Sequence, residues 1–434
     1  SLNVSEVGFH LARAALAKGE WPAAEGLRVE EFVNSLDYGD APASEAERVA
    51  CAQEQAAHPF LQQRNLLRIS LGTAALGRQA GTPLRLTVLL DRSGSMERED
   101  RVASVRAALE RLTELLGEGD ELSLIGFART PHLLAARVKG EESGEKVLGL
   151  LEATPSEGGT NLESALALGR RVARQQFAAG AQNRVILVTD GAANLGDAKP
   201  ERLAALVTEM RKEGIAFDAC GVGAKGLNDE ILESLTRQGD GRYYLLDRAE
   251  EADAGFARQI AGALRPAAEN VKVQVVFNEK RVGRYQLHGF EKHRLAKEDF
   301  RDDAVDAAEL AGEENGVALY HFEPLPEGEG EVGTVSVRFR DTASGEMVER
   351  LWMIPYLAQP PALFGEAEEK VRLATLAWLA AEKLRGGPAG EALGWGKLQT
   401  ELARLEGAFG GRRNFREFQE MVRQARALAG ETKD

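Results

Sequence analysis

Between residues 82 and 265, apolar runs of strand length alternate with amphipathic stretches of helical length, and no other feature constrains the fold as tightly. Leu84-Arg85-Leu86-Thr87-Val88-Leu89-Leu90, Glu121–Phe127, Val185-Ile186-Leu187-Val188-Thr189, Ile215-Ala216-Phe217-Asp218-Ala219 and Arg242–Leu246 read as strands. Most are too continuously apolar to leave one face in water. Between the first two, Val102, Val105, Leu109, Leu112 and Leu116 recur at helical spacing. Further helices are predicted near Glu145–Leu151, over Leu162–Phe177 and Pro200–Lys212, after Asn228, and over Glu250–Leu264. Such alternation predicts a doubly wound parallel sheet covered by helices on both faces. In open sheets of this kind ligands bind in the crevice beyond the carboxyl ends of the strands.

Two of these strands end in an acid. The first runs into Asp91-Arg92-Ser93-Gly94-Ser95-Met96, which delivers one carboxylate and two hydroxyls within a single turn. Clustered hard oxygens suit Mg²⁺ or a similar cation. Alone, Asp-x-Ser-x-Ser is weak, because Ser and Asp populate turns for backbone reasons. Two other segments strengthen it. Gly158-Gly159-Thr160-Asn161-Leu162 opens an amphipathic helix, and Asp190 follows the buried run ending at Thr189. If the two strands lie side by side, Asp91, Ser93, Ser95, Thr160 and Asp190 form one five-residue oxygen site. The expected cofactor is Mg²⁺, with Ca²⁺ or Mn²⁺ as alternatives.

With these motifs in place, the chain resembles the von Willebrand factor type A family, whose metal-ion-dependent adhesion site uses Asp-x-Ser-x-Ser, a Thr and a second Asp. The resemblance implies that the cation holds a carboxylate from a partner protein. It also implies a Rossmann-like, doubly wound parallel sheet. Leu27-Arg28-Val29-Glu30-Glu31-Phe32-Val33-Asn34 is similar to the amino-terminal region of a bacterial subgroup of these proteins. Phe277-Asn278 and Glu298–Asp306 are similar to its carboxy-terminal region. The subgroup commonly carries Tyr-Phe where Ser35-Leu36 stand here.

From Val271 the pattern changes. Val271–Phe277, Val317–Phe322, Val332–Arg340 and Met347–Ile354 are period-two runs separated by polar loops, which predicts an antiparallel sheet or sandwich. Glu47–Gln55 and Leu66–Leu71 offer strands to the same sheet, which would make the metal domain an insertion. Past Pro360-Pro361, Glu366–Leu384, Lys397–Leu405 and Asn414–Leu428 carry helical apolar stripes. The predicted architecture is therefore an α/β domain inserted in a β-sandwich-like domain, followed by carboxy-terminal helices. Its segments are residues 1–80, contributing strands to the β domain, 81–265, the metal domain, 266–360, β-rich, and 361–434, helical.

Composition narrows the function. A chain of 434 residues predicts two or three domains. A net charge of −14 with no basic cluster argues against nucleic acid as a partner. No apolar run approaches the roughly 20 residues needed to cross a bilayer. Cys51 and Cys220 fit neither a disulfide framework nor a zinc site, and Cys220 reads as a small buried hydrophobe. His288 and His293 read as structural.

Rival chemistries are weaker. Gly221-Val222-Gly223-Ala224-Lys225-Gly226, with Asp247 beyond it, superficially fits a dinucleotide fingerprint. Asn228 and Asp229 look like a helix cap, however, so the third glycine falls outside the helix; the loop is expected at the rim of the metal crevice. No nucleophile elbow or Walker loop occurs. Asp299, Asp302, Asp303, Asp306 and Glu309 read as a solvated loop rather than a second, Ca²⁺-type site. The expectation is a non-enzymatic, metal-dependent adhesion module that captures an Asp or Glu of a partner protein. The alternative is an intracellular scaffold serving an AAA-type ATPase. Resemblance of the flanking regions to a secreted subgroup implies an extracytoplasmic place in the periplasm, outer membrane or cell surface; the start at Ser1 rather than Met leaves open a leader or lipid anchor removed by processing and a start chosen by design. Similarity to adhesion domains implies a switch in which the Glu250–Leu264 helix shifts on ligand binding.

Overall fold

The strand–helix segment is an insertion: residues 77–266 pack as one unit, while 1–76 and 267–434 pack together as another. The computed structural model describes residues 5–44, 46–74, 82–153, 156–191, 199–239, 241–249, 266–290, 310–311, 315–341 and 344–431.

The first unit opens with two helices, α1 (Val7–Ala17) and α2 (Val29–Asn34), then a hairpin of β1 (Val49–Ala57) and β2 (Asn65–Thr73). Neither helix has a side-chain cap bond, and buried apolar residues such as Phe9, Ala12 and Leu16 of α1 and Val29, Phe32 and Val33 of α2 show why they form.

The second unit carries the predicted sheet. Its strands are β3 (Leu84–Asp91), β4 (Glu121–Phe127), β5 (Pro131–Lys139), β6 (Gln182–Thr189), β7 (Ala216–Val222) and β8 (Tyr243–Leu246), in the order β5-β4-β3-β6-β7-β8. Helices α3 (Glu99–Glu114), α4 (Gly140–Ala153), α5 (Leu162–Gln176), α6 (Pro200–Lys212) and α7 (Asp229–Gln238) connect them. Pairing is parallel from β4 through β8. Only β5 runs antiparallel, along β4 at the sheet's edge. Sequence pattern gave no sign of β5: His132, Leu133, Ala136 and Arg137 are all exposed, and Arg137 adopts a positive φ of 47° where the register shifts.

Leu86, Val88 and Leu90 of β3 pack with Val105, Leu109 and Leu112 of α3. Burial of each such side chain stabilises the unit by roughly 1.5–3 kcal/mol. On the opposite face α5 comes so close that a Cβ at Gly169 would stand 2.9 Å from Leu89 Cδ2. The chain leaves β3 for β4 on one side and returns to β6 on the other, which places the topological switch, and hence the crevice, at the β3 and β6 ends.

The chain then returns to the first unit with β9 (Pro266–Phe277), β10 (Val282–His288), β11 (Leu310–Ala311), β12 (Asn315–Pro324), β13 (Gly333–Asp341) and β14 (Met347–Ile354). Two antiparallel sheets result, ordered β1-β2-β12-β10 and β11-β9-β13-β14. Every residue of β2 is buried, because its two faces meet different partners. Leu67, Ile69 and Leu71 join Val335, Val337 and Phe339 in the sandwich core, whereas Leu66 joins a helical layer. That layer comprises α1 and α2 with α8 (Glu369–Arg385), α9 (Trp395–Ala403), α10 (Glu406–Phe409) and α11 (Arg413–Leu428), packed around Phe9, Phe32, Trp395, Phe415 and Phe418. The edge strand β10 was not legible beforehand, since Gly283, Arg284, Tyr285 and Gln286 are all exposed. Both cysteines are free, and Cys220 is fully buried within β7 rather than at its end. The Glu250–Leu264 helix, His293 and the acidic run from Asp299 to Glu309 lie outside the described residues.

Candidate metal centre

The parallel register sets Leu90 of β3 beside Val188 of β6, so Asp91 and Asp190 emerge at neighbouring strand ends. Both are almost fully enclosed, at 1% and 2% exposure, as are Ser93 at 3% and Thr160 at 2%; Ser95 is exposed. The turn after β3 is closed by its own acid: Ser93 N donates to Asp91 Oδ1 at 2.8 Å. Ser93 Oγ and Ser95 Oγ then lie 3.1 Å apart.

Backbone bonds bring the Thr160 segment alongside. Glu157 N donates to Arg92 O at 3.0 Å, Arg92 N to Phe127 O at 2.7 Å, and Asn161 N to Ala128 O at 2.8 Å. Asn161 caps α5 through its side chain, accepting from Ser164 N at 3.0 Å. Thr160 is therefore held at the mouth of that helix by bonds on both sides. Asp190 is fixed through its backbone as well, its carbonyl accepting from Asn228 N at 3.1 Å.

Two residues that the sequence reading passed over complete the arrangement. Thr189 Oγ1 donates to Asp91 Oδ2 at 2.5 Å and accepts from Gly191 N at 3.0 Å. Arg101, in the first turn of α3, forms a buried ion pair with Asp190. Arg101 stands four residues before Val105 on the apolar stripe of α3, and a charge in that stripe was the signal available. Burial pushes the Asp91 carboxyl above the usual range; the Thr189 and Ser93 bonds oppose that, and the charge of Asp190 adds to it.

The donor set fits a hard divalent cation. Adjacent ligands of octahedral Mg²⁺ at about 2.1 Å stand about 3.0 Å apart, close to the separation of the two serine hydroxyls. Two crowded, desolvated carboxylates are also what a nearby positive charge relieves. Among the described residues no three His, Cys, Asp or Glu side chains gather as a metal cluster, so any cation here depends on hydroxyl donors.

The glycine-rich loop lies at this rim. Gly226 precedes α7 by three residues, Asn228 caps that helix, and Asp247 Oδ1 accepts from Ala224 N at 2.8 Å. The third glycine is thus outside the helix, and Asp247 supports the loop.

Comparison with known proteins bears on the fold that carries these residues. Residues 86–258 match the family described as von Willebrand factor type A domain. This chain carries a von Willebrand factor type A domain. Residues 1–68 match a family described as von Willebrand factor, and residues 262–330 one described as uncharacterized protein YfbK, C-terminal. Uncharacterized protein YfbK of Escherichia coli strain K12 is 28% identical over 329 residues, covering 74% of this chain and 57% of that relative's length. An uncharacterized protein of Synechocystis is 26% identical over 296 residues, covering 64% of this chain and 67% of the relative. Among solved structures, the von Willebrand factor type A protein from Catenulispora acidiphila matches with a TM-score of 0.53 at 14% identity, over 82% of this chain and 86% of that one. That likeness concerns the fold alone. Type A domain proteins generally mediate protein interactions, and no described helix is long and apolar enough to cross a membrane.

Proposed function

We propose that this protein is a non-enzymatic, metal-dependent binding module that captures an Asp or Glu of a partner protein. The observation that carries the reading is the 3.1 Å approach of Ser93 Oγ to Ser95 Oγ beside Asp91, at the switch point of the sheet. Ser93, Ser95 and Thr160 offer neutral oxygens, while Asp91 and Asp190 bind directly or orient water. When bound, the cation supplies an electrophilic position open to a carboxylate oxygen. Because three of the five donors are neutral, the protein brings at most two negative charges to the cation.

The surroundings favour an acid. The amino termini of α3 and α5 lie at this end of the sheet, and their dipoles attract anions. A cavity of about 550 Å³ adjoins Asp91, lined by the apolar Leu90, Met96, Val105 and Leu151, while the charges of Arg92 and Arg106 at it are balanced by Glu97 and Glu152. It has room for an apolar side chain neighbouring the captured acid. An extracytoplasmic setting is part of the proposal, resting on the similarity of the flanking regions to a secreted subgroup.

The test is capture of partners by the immobilised protein from a cell-envelope extract in Mg²⁺ and in EDTA. Retained proteins should release in EDTA and fail to bind Asp190→Ala, with a circular-dichroism spectrum unchanged by the substitution. Equal capture in both buffers would show that the site is not the binding surface.

A further inference from the structure

Arg101 reaches three separate segments at the site. Nη1 donates to Asp190 Oδ2 and to Ser95 O, the latter at 3.0 Å, and Nη2 donates to Lys225 O at 2.6 Å. One guanidinium thus ties together the serine turn after β3, the acid after β6 and the glycine-rich loop after β7. The slot is built around it. Gly223 has φ of +74°, and a Cβ there would stand 2.9 Å from Arg101 Nε. That Nε is buried without a hydrogen-bond partner. A planar fork is the only cationic side chain that reaches three acceptors this way.

We infer that Arg101 is a positioning residue that sets the charge of the site, so that the cation and the partner's acid are held together more strongly than the cation alone. The inference rests on the metal-dependent reading above and deepens it. Among the described residues, Asp91 and Asp190 with Arg101, the charged groups bonded to one another at the site, sum to one net negative charge beside a divalent ion. The ion therefore keeps one surplus positive charge until a carboxylate arrives, and the assembly is neutral only with that carboxylate in place. Without Arg101, the protein alone neutralises the ion and the incoming acid meets no net attraction. Close charges inside a partly dry crevice act far more strongly than in water.

The consequence is a pair of effects of opposite sign. Calorimetric titration of the full chain with Mg²⁺, then of the Mg²⁺-loaded chain with a short peptide bearing a single Glu, reads both. Arg101→Gln should bind Mg²⁺ at least threefold more tightly and the peptide at least tenfold more weakly. Arg101→Lys keeps the charge without the fork; it should recover most of the peptide affinity while amides of residues 223–226 exchange faster. A purely structural role moves both affinities down together. Parallel loss in Arg101→Gln, or in Arg101→Lys should the Gln variant fail to fold, overturns the inference and leaves the functional reading standing. A wild-type chain that binds no Mg²⁺ overturns both.

Discussion

Thr189 and Asp91 are joined by a 2.5 Å hydrogen bond across the ends of two neighbouring parallel strands. Asp91 also accepts from its own turn through Ser93 N, so both carboxylate oxygens are oriented before any ligand arrives. Groups that orient a ligating side chain typically matter tenfold to a hundredfold in metal affinity. Thr189→Val keeps the shape of the strand end and removes the donor. It should weaken Mg²⁺ binding roughly tenfold while the melting temperature moves little; titration beside a thermal melt reads both.

Gly169 tests how closely α5 must approach the sheet. A side chain there meets Leu89, which is itself fully buried, so neither can move without opening the core. Gly169→Val should destabilise the type A domain by about 1–3 kcal/mol, read as a lower urea midpoint. An unchanged midpoint would show that helix and strand are looser than drawn.

In the other unit, three histidines meet around one tryptophan. His288 stacks on Trp378 at 3.8 Å, His321 Nδ1 lies 3.1 Å from His288 Nε2, and His58 contacts both His321 and Trp378 edge-on. The nearby charges are Arg64 and its ion-pair partner Glu323. Burial, then the charges of His321 and Arg64, holds His58 down to about 4; burial and the other two histidines hold His288 down to about 3; His321 is lowered by burial and Arg64. An unfolded chain takes up these protons from pH of about 6.5 downward, and the folded one does so only later. The stability is therefore complete above about pH 6.5, falls steadily below it, and is fully lost once pH has passed the folded values. Between pH 7 and 5 the most buried of the three, His288, should alone account for a loss of roughly 2 kcal/mol. His288→Phe, which keeps the stacking on Trp378, should flatten the dependence of the urea midpoint on pH.

What the sequence made legible was whatever repeats along the chain. Buried parallel strands show as unbroken apolar runs, so β3, β4 and β6 were readable to within a few residues, as was α6 behind Pro200. Asn228 announced its helix through its own chemistry as a cap. Two edge strands, β5 and β10, were not readable, because each owes its conformation to one paired neighbour and leaves most side chains in water, whereas the edge strands β1, β8 and β14 showed in the pattern. At the site, residues with obvious ligand chemistry were visible, and those that act on them were not. Thr189 passed as the end of an apolar run, and Arg101 as one charge on a charged helix. Their roles arise only when β3 and β6 lie side by side, which a linear pattern does not contain.

The central claim is that five side chains far apart in sequence surround one divalent ion, and Mn²⁺ titration followed by electron paramagnetic resonance tests it most directly. Wild-type protein should take up one Mn²⁺ that Mg²⁺ displaces, and Ser93→Ala and Thr160→Ala should each lose that site while remaining folded. Uptake by both variants with wild-type stoichiometry and affinity would contradict the account.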